Sequence, residues 1–163
     1  MSDEIEAKSV EESPLESEEN NGEESGPVIG RVEWLDLTVN DASRVRKFYS
    51  SVVGWKSSDV DMGSYNDYSI ETPQTKETVA GICHARGPNA QLPSQWLVYV
   101  RVASVQASAE ECRRLGGEVL DGPKRMGGSN FCVIKDPEGA VMALLSDESD
   151  RRRQSGGRHG ALS

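Results

Sequence analysis

The stretch GRVEWLDLTVNDASRVRKFYSSVVGW, Gly30–Trp55, decides how the chain folds. Its opening alternates: Leu35, Leu37 and Val39 fall on one face, Trp34, Asp36 and Thr38 on the other, the two-residue period of a half-buried strand. Asn40 or Asp41 is placed to cap a helix. Val45, Phe48, Tyr49 and Val52 then recur at the i, i+3, i+4, i+7 spacing of one helical stripe, and Gly54 supplies the stop.

The same order returns further along. Trp96–Val102 alternates with Val98, Val100 and Val102 on one face and Leu97, Tyr99 and Arg101 on the other. Ser104 can cap a second helix, striped by Val105, Ser108 or Ala109, Cys112 and Leu115 and stopped by Gly116-Gly117. Ser104 stands 63 residues after Asp41, so the body reads as a repeat. Extended segments follow each helix, near 56–61, 65–72 and 78–85 and again near 118–120, 130–135 and 140–146, the last two joined by the turn Asp136-Pro-Glu-Gly139. The expected fold is α+β: two β-α-β-β-β units, about 28–87 and 94–146, forming one curled mixed sheet. Helices cover one sheet face, and the other closes around a central cleft. Trp34, Asp36 and Thr38, facing Leu97, Tyr99 and Arg101, give that cleft the mixed polarity of a binding surface rather than a dry core.

Charge separates this body from its flanks. Residues 1–27 hold ten acids against Lys8 alone, a net −9 equal to that of the whole chain, while the rest balances at seventeen acids and seventeen bases. The acidic stretch has too few apolar residues to offset its ordering entropy and reads as a disordered arm; residues 147–163, with Arg151, Arg152 and Arg153, read as a disordered tail. Three clustered arginines are a poor nucleic-acid signal, so no nucleic-acid partner is expected. No apolar run is long enough to span a membrane, and the first residues lack the pattern of a secretory signal. Cys83, Cys112 and Cys132 are odd in number with no CxxC spacing, which suits reduced thiols in a cytoplasmic protein.

Three stretches resemble the vicinal oxygen chelate superfamily, whose members include glyoxalase I, bleomycin-resistance proteins, fosfomycin-resistance enzymes and ring-cleaving dioxygenases. They are LTVNDASRVRKFYSSVVGW (37–55), SVQASAEECRRLGGEVL…GP (104–123) and FCVIKDPEGAVMALL (131–145). The resemblance spans roughly 28–146 and is similar in particular to the lactoylglutathione lyase-related branch. It implies the glyoxalase/bleomycin resistance/dioxygenase fold, a small-molecule partner and a homodimer. It also implies a divalent ion that chelates adjacent substrate oxygens. Carried onto this chain, the four ligand positions fall at Trp34, near Gly81 or Ile82, at Leu97 and at Ala143, none of which offers a ligand. The expectation is therefore a small organic molecule bound without the usual metal and with no other cofactor. Whether any enzyme activity survives is left open. The alternative is a metal-dependent lyase or dioxygenase with a displaced ion on Asp36, Glu71 and His84.

His84 shares the strand face of Ile82 and is expected as a polar group at the cleft mouth beside Arg86. In Asn66–Thr72, Asp67, Ser69 and Glu71 alternate with Tyr68, Ile70 and Thr72, and the sequence leaves open which set meets the cleft. The expected ligand-binding residues are Trp34, Asp36, Thr38, Asp67, Glu71, His84, Tyr99 and Arg101. The length of the linker RGPNAQLPSQW (86–96) suits a crossing over the cleft or a dimer seam, and KRMGGSN (124–130) reads as a glycine-rich lid. Cys83 and Cys112 read as small core residues, and Cys132 as a candidate for the cleft.

Overall fold

The computed structural model describes residues 26–147. The acidic arm and the arginine tail lie outside the described residues, apart from their innermost positions. The elements run β1 (Val32–Val39), α1 (Ala42–Val52), β2 (Lys56–Asp61), β3 (Asn66–Glu71), β4 (Thr78–His84), β5 (Trp96–Arg101), α2 (Val105–Arg114), β6 (Glu118–Met126), β7 (Ser129–Lys135) and β8 (Val141–Asp147). Both helices start as their caps require: Asp41 Oδ1 accepts from Arg44 N at 2.9 Å, and Ser104 Oγ accepts from Ala107 N at 3.2 Å. Gly54 and Gly116, each with positive φ, follow their C-termini.

The strands form one curled, unclosed, eight-stranded sheet in the order β2-β3-β4-β1-β5-β8-β7-β6. Each unit contributes four neighbouring strands, with its first strand parallel to its last, β1 to β4 and β5 to β8. The units meet where β1 and β5 pair antiparallel. This is the expected α+β pair of βαβββ repeats.

Helix α1 covers Leu37, Tyr68, Ile70, Ala80 and Ile82 in the first unit, while Val105 and Ala109 of α2 pack on Cys132 and Leu144 in the second. Cys132 is therefore a core residue under α2 and not a cleft residue, because its register partner Leu144 points to the helix side. The α1 stripe is narrower than its periodicity suggests: Val45 and Tyr49 pack inward, while Phe48 and Val52 stand exposed.

The concave face differs between the halves. In the second unit it is filled by a third apolar cluster of Leu97, Tyr99, Phe131, Val133 and Ala143. Linker residue Leu92, 8 % exposed, sits in that cluster, and Lys124 Nζ donates to Pro88 O at 2.9 Å, fastening the linker to β6. This half is a dry core rather than the expected polar-apolar surface, because the linker roofs it. The expected glycine-rich lid is also replaced. Lys124, Arg125 and Met126 extend β6, and Gly127-Gly128, both with positive φ, make a two-residue hairpin turn into β7.

Candidate functional site

The first unit keeps the polar half of the concave face. Pairing aligns Asp36 of β1 with Gly81 of β4 on one side and Leu97 of β5 on the other, and aligns Trp34 with Tyr99 and Thr38 with Cys83. Aligned residues share a face, so Trp34, Asp36, Thr38, Gly81, Cys83, Leu97 and Tyr99 converge from three strands. On β3, Tyr68 and Ile70 pack under α1. The acidic set Asp67, Ser69 and Glu71 therefore meets the concave side, which answers the question the alternation left open.

Asp36 is the centre of this arrangement. A Cβ on Gly81 would stand 2.1 Å from Asp36 Oδ1, so the carboxylate lies across β4 in space that only a glycine leaves. Cys83 Sγ is 3.7 Å from each carboxylate oxygen. The Trp34 indole and the Tyr99 hydroxyl also donate toward the carboxylate. Burial raises the Asp36 pKa from 3.8 to about 6; the donors Trp34, Cys83 and Tyr99 oppose the rise, and the negative charge of Asp67 adds to it. Burial and the same negative field push the Cys83 thiol and the Tyr99 phenol well above their ordinary ranges. Both stay protonated near neutrality and act as hydrogen-bond donors, so Cys83 is not poised as a nucleophile.

The other expected site residues have definite partners. Asp67, 5 % exposed, accepts the His84 backbone N–H at 2.8 Å and lies 3.2 Å from His84 Nδ1. His84 is aligned with Val39, on the side α1 covers, and its ring sits edge-on to Tyr65 at 5.5 Å. It does not stand at the cleft mouth as expected: the strand face it shares with Ile82 is the helix face. Thr38, 3 % exposed, is on the concave side but covered. Tyr99 is equally buried, its ring stacked on Phe131 at 5.8 Å. Glu71 accepts from Ser58 Oγ at 2.7 Å toward the sheet edge. Arg101 is held by both Glu33 oxygens at 2.8 and 2.7 Å and by Asp147 at 2.5 Å. Trp34, Asp36 and Cys83 remain partly exposed.

These residues do not fit a divalent ion. The implied ligand positions carry an indole, a glycine, an isobutyl group and a methyl group. The displaced set of Asp36, Glu71 and His84 does not assemble, since its members lie at the sheet centre, near the β2 edge and on the opposite face. Among the described residues no group of three or more His, Cys, Asp or Glu could hold a metal ion.

Sequence reasoning missed three contributors. Cys83 was legible in principle, because it lies two residues after Gly81 and so shares its face. Gly81 as the seat of a carboxylate, and Leu92 as a roof, required the strand register.

A family model described as the Glyoxalase/Bleomycin resistance protein/Dioxygenase superfamily matches residues 31–144. The chain is 27% identical over 117 residues to "Putative glyoxylase CFP32" of Mycobacterium tuberculosis (strain CDC 1551 / Oshkosh), and equally to that of Mycobacterium bovis. The match covers 71% of this chain and 44% of the relative, so the chain spans less than half the length of these relatives. Among solved structures, methylmalonyl-CoA epimerase of Streptomyces coelicolor is 16% identical, over 75% of this chain and 97% of that one, with a TM-score of 0.45. TnmS3, an antibiotic-binding protein from Streptomyces sp. CB03234, is 20% identical over 75% of this chain and 99% of that one, with a TM-score of 0.31. With the family model matching 114 of its 163 residues, the chain belongs to the Glyoxalase/Bleomycin resistance protein/Dioxygenase superfamily.

Proposed function

We propose that this protein binds a small organic molecule on the concave face of its first unit, against Trp34, with Asp36 as the polar anchor and without the divalent ion that the family resemblance implies. The observation that carries the reading is the Asp36 carboxylate itself, laid across Gly81 and held by Trp34, Cys83 and Tyr99. A partly buried charge so positioned retains acceptor capacity for one more donor: a carboxylate offers about four lone-pair sites, and three donors already converge on it. The apolar residues at the implied ligand positions support the metal-free part of the reading, as does the scatter of Asp36, Glu71 and His84.

The closed half of the concave face limits the size of the ligand. Leu92 roofs the second unit's cluster, so the ligand site is confined to the neighbourhood of Trp34, Asp36, Ser69 and Cys83. A cytoplasmic location belongs to the same proposal, supported by three free cysteines. So does a homodimer, for which the exposed Phe48, Val52 and Val53 at the end of α1 offer apolar surface.

A fragment screen on isotope-labelled protein, read by amide and indole chemical shifts, tests the reading. Binders are expected to shift the Trp34 indole and the Gly81 and Cys83 amides, and to lose affinity in Asp36→Asn. Stoichiometric metal in untagged protein, bonded to three or more side chains of the concave face, would overturn it, as would binders that leave those signals still.

A further inference from the structure

We infer that the ligand of this cleft is a cation, an ammonium-bearing aromatic or apolar molecule whose nitrogen pairs with Asp36 while its body lies on Trp34. The inference rests on the proposed binding reading and names the ligand's chemical class.

Three observations lead to it. First, Asp36 is a half-buried carboxylate, and the groups that act on it among the described residues are neutral donors and one negative charge. Trp34 on its own strand, Cys83 on β4 and Tyr99 on β5 donate hydrogen bonds, and Asp67 on β3 adds a second negative charge. Buried charges in proteins are normally paired, and among the described residues no ion pair is formed by Asp36. Second, the basic groups nearest the concave face are already engaged. Arg101 is held by Glu33 and Asp147, and Lys124 by Asp121 and the Pro88 carbonyl. Neither is left to neutralise Asp36 or to attract an anionic ligand. Third, the Trp34 indole lies beside the carboxylate at Gly81 and stays partly exposed, so the apolar body of a ligand has a surface to rest on.

Anionic ligands would meet Asp36 and Asp67, with Arg101 and Lys124 already engaged elsewhere. Neutral ones would leave the carboxylate charge unpaired. A cation with an apolar body meets complementary charge at Asp36 and the exposed part of Trp34 together.

Three probes with one ring system and different charges decide the matter: tryptamine (cationic), tryptophol (neutral) and indoleacetate (anionic). Each is titrated into the native protein and followed by chemical shift or calorimetry. Tryptamine is expected to bind about tenfold more tightly than tryptophol, the scale of one partly desolvated ion pair, with indoleacetate weakest. The preference for tryptamine should vanish in Asp36→Asn. The native protein supplies an independent reading: the roughly tenfold tryptamine preference should be lost as pH falls from above 6 toward 4, as Asp36 takes up a proton. Equal or tighter binding of tryptophol or indoleacetate overturns the inference. So does a preference that survives Asp36→Asn or is flat with pH, and so does failure of all three to shift the Trp34 indole. In each of those cases cleft binders of another class from the fragment screen would leave the parent reading standing, whereas a cleft that binds no fragment removes both.

Discussion

Gly81→Ala adds a single methyl group at the most crowded glycine among the described residues. The backbone there is ordinary strand, so space and not φ excludes the methyl. The new Cβ would stand 2.1 Å from Asp36 Oδ1 and 3.2 Å from its Cγ. Oδ1 must retreat from 2.1 Å to at least 3.0 Å, the closest approach real Cβ atoms show, a shift of about 0.9 Å. The carboxylate cannot swing freely, because Cys83 lies 3.7 Å from both of its oxygens and Trp34 and Tyr99 donate toward it. Overpacking at such a site costs about 1–3 kcal/mol. Alanine recovers roughly 0.5–1 kcal/mol of the entropy glycine loses in a strand, which leaves a net loss of about 1–2 kcal/mol. Urea unfolding of the parent, Gly81→Ala, Asp36→Ala and the double variant closes a cycle. Because Asp36→Ala removes the obstructing oxygen, Gly81→Ala should cost nothing in that background. If Gly81→Ala is as stable as the parent, or costs the same with the Asp36 carboxylate removed as with it present, the carboxylate does not lie across Gly81.

Asp36→Asn should reshape the pH dependence of stability. The folded pKa of about 6 lies above the ordinary value of 3.8, so ionising Asp36 penalises the fold as pH rises between about 4 and 6. Across that window the parent should lose up to about 3 kcal/mol relative to Asp36→Asn and then run parallel to it, at about 1.4 kcal/mol per pKa unit. Denaturation at a series of pH values checks this, and a constant difference refutes it. Leu92→Ala should cost about 2 kcal/mol, the low end for a buried leucine, because the linker can settle into the gap. A urea midpoint unmoved by the change would show that Leu92 is not seated in the Phe131 cluster. Arg101→Met should cost about 1 kcal/mol, shrinking with added salt, by releasing Glu33 and Asp147. Tryptamine affinity should be unchanged in that variant, and its loss would mean that Arg101 serves the ligand as well.

Periodicity and caps determined the architecture. The alternation in Arg31–Val39 and Trp96–Val102, the helical stripes, the caps Asp41 and Ser104 and the glycines after each helix are local signals, and local signals need no knowledge of distant neighbours. They assigned each strand residue to one of two faces, and the parity held for Trp34, Asp36, Leu97 and Tyr99. Which of those faces water reaches was another matter. That depended on Leu92 folding back on Tyr99 and Phe131, on Asp67 turning to the His84 amide, and on Glu33 and Asp147 closing around Arg101. The meeting of Asp36, Gly81, Cys83 and Tyr99 is likewise a product of register between strands far apart in sequence. Alternation along one strand says which way a side chain points, but only the pairing of neighbouring strands says what it meets there. The raised pKa of Asp36 follows from that meeting.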